Sequence, residues 1–123
     1  MAVSKMKSKR CHITHDIRQT SLIAFMEERP HLGPRQLEVL KAIRDFNRAG
    51  IYPTDREITR KLGYADPNRV RPRRYELMIM GFIVEAGKKV CPISGKLALA
   101  WKISPHIVDN IDYIIEIEER RRR

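Results

Sequence analysis

The chain is expected to be mainly α-helical with one small β-hairpin, and three observations carry that expectation. Apolar residues recur at three- and four-residue spacing through most of the chain, the mark of amphipathic helices. Strand-forming residues cluster only between Phe82 and Ile103. Just ahead of them, Thr54 to Met80 reads as a short helix, a tight turn and a second, strongly basic helix.

Three regions follow in order. Residues 1–15 are polar and basic without a period and are read as a flexible arm. Residues 16–104 form the domain proper, with a leading helix. Residues 105–123 form a C-terminal helix. The leading helix spans Ile17 to Glu28, where Leu22, Phe25 and Met26 share one side, and Pro30 with Gly33-Pro34 closes it. Pro34 then opens a helix at its first position. Leu37, Leu40, Ile43 and Phe46, with Val39 beside them, form its apolar stripe, and Ala49-Gly50 ends it.

Thr54 can cap the next helix, and Glu57, three residues on, completes a capping box. Ile58 and Leu62 lie on one face, and Gly63 stands where a left-handed residue would stop the helix. Asp66-Pro67 restarts the pattern as cap and first helical residue. Pro72 then interrupts it, because proline removes a backbone donor and clashes with the preceding turn. Either the helix kinks there, or Pro67 to Arg71 is a separate turn and the main helix begins near Pro72. Its far half, Leu77 to Met80 with Val70 and Tyr75, is expected to be buried. Gly81 stops it. Phe82 to Val84 and Leu97 to Ile103 are expected strands, and Cys91 to Lys96 a turn, so that Lys88, Lys89 and Lys96 make the hairpin basic. Ser104-Pro105 is read as the cap of the last helix. Its stripe is Ile107, Val108, Ile111, Ile114 and Ile115, with Tyr113 and Ile117 on a second edge. So wide an apolar arc asks for the leading helix or a second copy of the chain as neighbour. Glu116–Arg120 and Glu118–Arg122 are expected as ion pairs one turn apart.

At 123 residues the chain suits one domain, and 42% hydrophobic with 33% charged residues suits a modest core. The net charge of +10 favours a polyanion, nucleic acid first. A solvated basic surface is the plain alternative. No apolar run reaches membrane-spanning length, and the N-terminus lacks the apolar core of a secretory signal. A cytoplasmic, nucleoid-associated protein is expected. Cys11 and Cys91 are too few and too far apart for a disulfide framework. Cys11, His12 and His15 lack a second ligand cluster, so no metal or other cofactor is expected. Neither paired carboxylates, a nucleophile elbow nor a glycine-rich phosphate loop is present, and an enzyme is not expected.

From Gly33 to Ser104 the order of helix, helix, turn, basic helix and hairpin resembles the winged helix-turn-helix superfamily, in particular small phage winged-helix proteins and MarR-like regulators. The resemblance rests on PRQLEVLKAIRDF, TDREITRKLGY, NRVRPRRYELMIMGFI and VCPISGKLALAWKI, and within the third on Arg73, Glu76, Leu77, Gly81 and Ile83. It implies a double-stranded DNA-binding protein, a transcriptional regulator. Asn68, Arg69, Arg71 and Arg73 would enter the major groove, and Lys88, Lys89 and Lys96 would lie along the minor groove or backbone. Arg74, Arg60 and Lys61 join as candidate contacts, the last two to phosphates. An arginine fork suits guanine or a phosphate, and Asn68 suits adenine. The same arginines could instead pair with Asp66 or Glu76. Trp101 is read as core rather than as a stacking platform, Cys91 as a small packed side chain, and Tyr64 and Tyr75 as either buried or phosphate-facing. A homodimer through the C-terminal helix would read two half-sites. The alternative function is a protein-interaction winged helix, an adaptor or inhibitor of a host polymerase or other factor.

Overall fold

A computed structural model describes residues 31–121. The expected arm, the helix at 17–28 and Arg122 lie outside the described residues. Within them the chain is helix-rich, with one two-stranded antiparallel hairpin. None of its helices is long and apolar enough to cross a membrane.

Helix α1 (Pro34–Arg48) begins at its proline, with Gly33 as N-cap, and buries Leu37, Val39, Leu40, Ala42 and Ile43. Phe46, expected in the stripe, is only half-buried. The last turn of α1 carries Asn47, whose side chain acts as a substitute peptide. Its Nδ2 donates to the Ile51 carbonyl at 3.0 Å, and its Oδ1 accepts the Ile103 amide at 2.9 Å. Those bonds satisfy backbone groups that would otherwise be orphaned along a strand edge.

Helix α2 (Asp55–Leu62) has the expected capping box. Thr54 Oγ1 accepts the Glu57 amide at 3.3 Å, and Glu57 Oε1 accepts the Thr54 amide at 3.0 Å. Gly63 ends α2 with φ +80°, a conformation glycine adopts without steric cost. Asp66 then caps a 3₁₀ turn (Pro67–Arg69), taking the Asn68 amide at 2.9 Å. Helix α3 (Arg71–Ile79) starts afresh after it. Of the two readings of Pro72, the separate turn is therefore the one adopted. Pro72 falls in the first turn of α3, where its missing N–H has no intrahelical partner to lose.

The far half of α3 differs from expectation. Leu77 and, just ahead of the helix, Val70 are fully buried, but Tyr75 and Ile79 are 54% and 63% exposed. The cause is helical spacing. Arg71, Tyr75 and Ile79 recur every four residues, so one face holds all three, and burying Leu77 turns that face to solvent.

Strands β1 (Ile83–Val90) and β2 (Leu97–Ile103) pair from Ile83↔Ile103 to Val90↔Leu97, with a bulge between Glu85 and Lys88. Trp101 extends the pairing outward, its amide reaching the Pro53 carbonyl at 2.9 Å. Ile58, Leu77, Ile83, Trp101 and Ile103 complete the core beside α1.

The last helix starts later than Ser104-Pro105 suggests. Ser104 Oγ accepts the His106 amide at 3.4 Å, a 3₁₀ turn (Val108–Asn110) follows, and α4 spans Ile111–Arg121. Ile107, Ile111, Ile114 and Ile115 are buried, whereas Val108 and Tyr113 are exposed. Ion pairs tie α4 to α1: Lys41–Glu119 at 2.7 Å, and Arg44 and Arg48 both to Asp112. The Arg48 hydrogen bond is the chief cause that holds the Asp112 carboxyl below the ordinary range. Glu116–Arg120 forms as expected at 2.7 Å. Glu118, whose expected partner Arg122 lies outside the described residues, is buried and accepts the Leu32 amide at 3.0 Å.

Candidate nucleic-acid interface

Helix α2 is divided by its own period. Glu57, Ile58 and Thr59 face inward, while Arg56 and Arg60, four residues apart, face solvent with Lys61. Lys61 lies 5.3 Å from the centre of the Phe46 ring. The inward side is tied to the hairpin. Glu57 Oε1 takes Lys89 Nζ at 2.7 Å, and Thr54 Oγ1 lies 3.1 Å from Cys91 Sγ. Burial pushes the Cys91 thiol up, but hydrogen bonds from Thr54, Ser94 and Ile93 outweigh it and leave the thiol below its ordinary pKa. Cys91 is thus the packed side chain expected, and it also anchors the turn.

The arginines of the basic stretch separate into two groups. Arg74 faces inward: its Nε and Nη2 each donate to an Asp55 carboxylate oxygen at 2.9 Å, and its guanidinium lies 4.3 Å from the centre of the Trp101 ring. With only 15% of its side chain exposed, it is a strut between α2, α3 and the hairpin. Arg73 pairs with Glu76 at 2.9 Å, and the same Glu76 oxygen accepts Gln36 Nε2 at 2.8 Å. Arg69 and Arg71 are exposed. Arg71 Nε is 3.9 Å from Asp55, whose carboxylate Arg74 already holds. Arg69 lies 5.8 Å from the centre of the Tyr64 ring, and Arg35 of α1 lies 5.4 Å from it. Tyr64 Oη donates to Glu38 Oε1 at 2.5 Å, and this hydrogen bond is the first cause raising the phenol above its ordinary pKa.

Asn68 is exposed, its side-chain Nδ2 3.5 Å from Asp66 Oδ2. On the hairpin Lys88 and Lys96 are exposed, but Lys89 is held by Glu57, and Val90 and Leu97 are exposed beside them. The hairpin is therefore less uniformly basic than its sequence suggests.

Two adjoining grooves bring the exposed cations together. One, of about 370 Å³, lies between the starts of α2 and α3 and the hairpin turn, with Arg56, Arg71 and Lys96 on its walls and Leu97 and Leu99 behind them. The other, of about 180 Å³, is lined by Arg56, Arg60, Tyr64, Pro67 and Ile93. Arg56 belongs to both and links them. It was not among the residues expected from sequence, although its spacing from Arg60 around inward-facing Ile58 marks it. Arg35 was missed as well, and only the fold brings it to Tyr64. Among the described residues Arg56, Arg60, Lys88 and Lys96 make no ion pair.

Asp55→Asn is expected to destabilise the domain by about 2 kcal/mol, because it removes the charged partner of a largely buried guanidinium. The urea midpoint should fall with an unchanged slope. An unchanged midpoint would show that Arg74 is not a strut.

Among the described residues no group of three or more His, Cys, Asp and Glu side chains could hold a metal ion, and Cys11, His12 and His15 lie outside them. Comparison with protein-family models finds no match, and no curated protein matches the chain.

Proposed function

We propose that the chain is a winged helix-turn-helix protein that binds double-stranded DNA, a transcriptional regulator of the small phage type. The observation that carries this reading is the linked pair of grooves. Arg56, Arg60, Arg71 and Lys96 come from α2, α3 and the hairpin turn and line two grooves that share Arg56. The one carboxylate on their walls, Asp55, is occupied by Arg74. Arg56, Arg60 and Lys96, which make no ion pair among the described residues, and Arg71, only 3.9 Å from the Asp55 carboxylate that Arg74 holds, suit a row of phosphates. In this reading Asn68, Arg69 and Arg71 approach base edges, while Arg56, Arg60, Lys61, Lys88 and Lys96 hold the backbone. Arg73, Arg74 and Lys89 support the surface from within through Glu76, Asp55 and Glu57.

Filter retention of duplex DNA over a salt series tests it. The logarithm of affinity should fall linearly with the logarithm of salt, by roughly 0.9 per phosphate neutralised, so five such contacts predict a slope near −4.5. Absence of retention at low salt would overturn the reading. Retention of structured RNA in preference to duplex DNA would replace it.

The exposed apolar side chains on α3 and the hairpin favour a second reading, an adaptor that binds a host polymerase or another protein. Such a complex would be insensitive to duplex competitor. A homodimer through the C-terminal helix remains part of the proposal, but the apolar surface left to it is Val108, just ahead of α4, and Tyr113, since Ile107, Ile111, Ile114 and Ile115 are buried. Sedimentation of a monomer at micromolar concentrations would remove the dimer.

A further inference from the structure

Resting on the DNA-binding reading, we infer that α3 recognises the 5-methyl groups of thymine in the major groove, with Tyr75 and Ile79 as the side chains that select A·T-rich sites.

The outward face of α3 carries Arg71, Tyr75 and Ile79 in line, at four-residue intervals along nine residues of helix. Tyr75 and Ile79 are more than half exposed, and both are absent from the hydrogen-bonded networks that hold Arg73 and Arg74 to neighbouring carboxylates. Two large apolar side chains one turn apart on an exposed helix face offer an apolar contact to whatever docks there. The charge around it selects the occupant. Arg71 heads the row, Arg69 precedes it, and Arg56 stands across the groove that Arg71 lines. A polyanion is drawn to these cations, whereas a second copy of a chain with net charge +10 is repelled from them.

A helix docked by Arg71 and continuing across the major groove meets base edges with its next turns. Of the groups displayed there only the thymine methyl is apolar, and it is the complement of Ile79 and of the Tyr75 ring. The phenol oxygen of Tyr75 can still bond to a phosphate or a base acceptor at the rim of the contact. Arginine therefore supplies affinity at the start of α3, and apolar contact supplies discrimination along the rest of it.

The probes are two defined duplexes of alternating sequence, dA·dT and dA·dU. They carry the same phosphates, the same minor-groove acceptors and the same hydrogen bonds between bases, and differ in the methyl groups alone. The wild-type chain should prefer dA·dT by about fourfold for each methyl covered, the factor corresponding to burial of one such group. In Tyr75→Ser/Ile79→Ala the two duplexes should bind equally. Both positions are on the surface, so the variant should keep the circular dichroism and melting of the parent. Equal binding of the two duplexes by wild-type protein would overturn the inference while leaving DNA binding intact. So would a methyl preference that survives the double substitution. Failure to bind either duplex at low salt would overturn the underlying DNA reading, and the inference with it. A wild-type dimer that the substitution converts to monomer, without any methyl preference, would reassign the face to self-association.

Discussion

On the proposed DNA-binding reading, Arg56→Glu combined with Arg71→Glu is expected to abolish retention of duplex DNA at physiological salt and to leave the domain folded. Each change removes a cation from the wall of the larger groove and sets a carboxylate in its place. A hydrogen bond to a charged group contributes about 1.5–3 kcal/mol, so losing two weakens binding by at least roughly a hundredfold before repulsion is added. The salt slope should become shallower by about 1, for the phosphate that Arg56 holds. Stability should change little. Arg56 has no ion pair among the described residues, and Arg71 stands half-exposed at the edge of a carboxylate that Arg74 holds. Glutamate at the first residue of α3 also suits the positive end of the helix, which offsets its closeness to Asp55. Arg73→Glu is the informative contrast. It sets two carboxylates one turn apart beside Gln36 and should lower the urea midpoint, mixing a folding defect with any binding defect. Retention of DNA by the folded double variant would exclude the grooves as the binding surface.

Trp101→Ala should cost about 3–5 kcal/mol, a large part of what a domain of this size has. The ring is 2% exposed and lies under the Arg74 guanidinium, so its removal opens a cavity and takes the support from the Asp55–Arg74 pair as well. The urea midpoint is the measure, with the slope checked for an unchanged two-state transition. Trp101→Phe separates volume from polarity. The indole Nε1 has no hydrogen-bond partner among the described residues, so phenylalanine sacrifices no bond there and relieves a buried donor. Its cost should therefore be clearly smaller than that of alanine. Equal costs for the two substitutions would mean that the indole nitrogen has an acceptor in solution. Because Arg74 positions the start of α3 against Asp55, the alanine variant should also bind DNA less tightly than its folded fraction predicts.

Much of this molecule was legible in local sequence because local chemistry is enough to write it. A capping box needs residues three apart, and Thr54 and Glu57 form one. A left-handed stop needs a glycine, and Gly63 provides it. The alternation of LALAWKI makes β2 over the residues expected. Where two local signals competed, at Pro67 and Pro72, sequence left two readings, and the backbone adopted the one in which both prolines open a helical segment. The late start of α4 escaped for a similar reason. Ser104 caps one turn, but only Ile111 onward lies where the chain can hydrogen-bond as an α-helix along α1.

Charge was legible as a quantity and illegible as a surface. A run of arginines states that cations are close in sequence, whereas their roles depend on which carboxylates the fold brings near. Asp55, Glu57 and Glu76 withdraw Arg74, Lys89 and Arg73 into ion pairs, two of them across elements. Arg56 and Arg35 gain their places by the reverse process, the first facing a groove shared with α3 and the second sharing the Tyr64 ring with Arg69. The sequence by itself determined a helix-rich chain with one hairpin, its caps and stops, and an excess of positive charge. Tertiary structure alone decided which of those charges face solvent and which apolar face of α3 is left uncovered, because pairing and burial act between residues that the chain brings together only on folding.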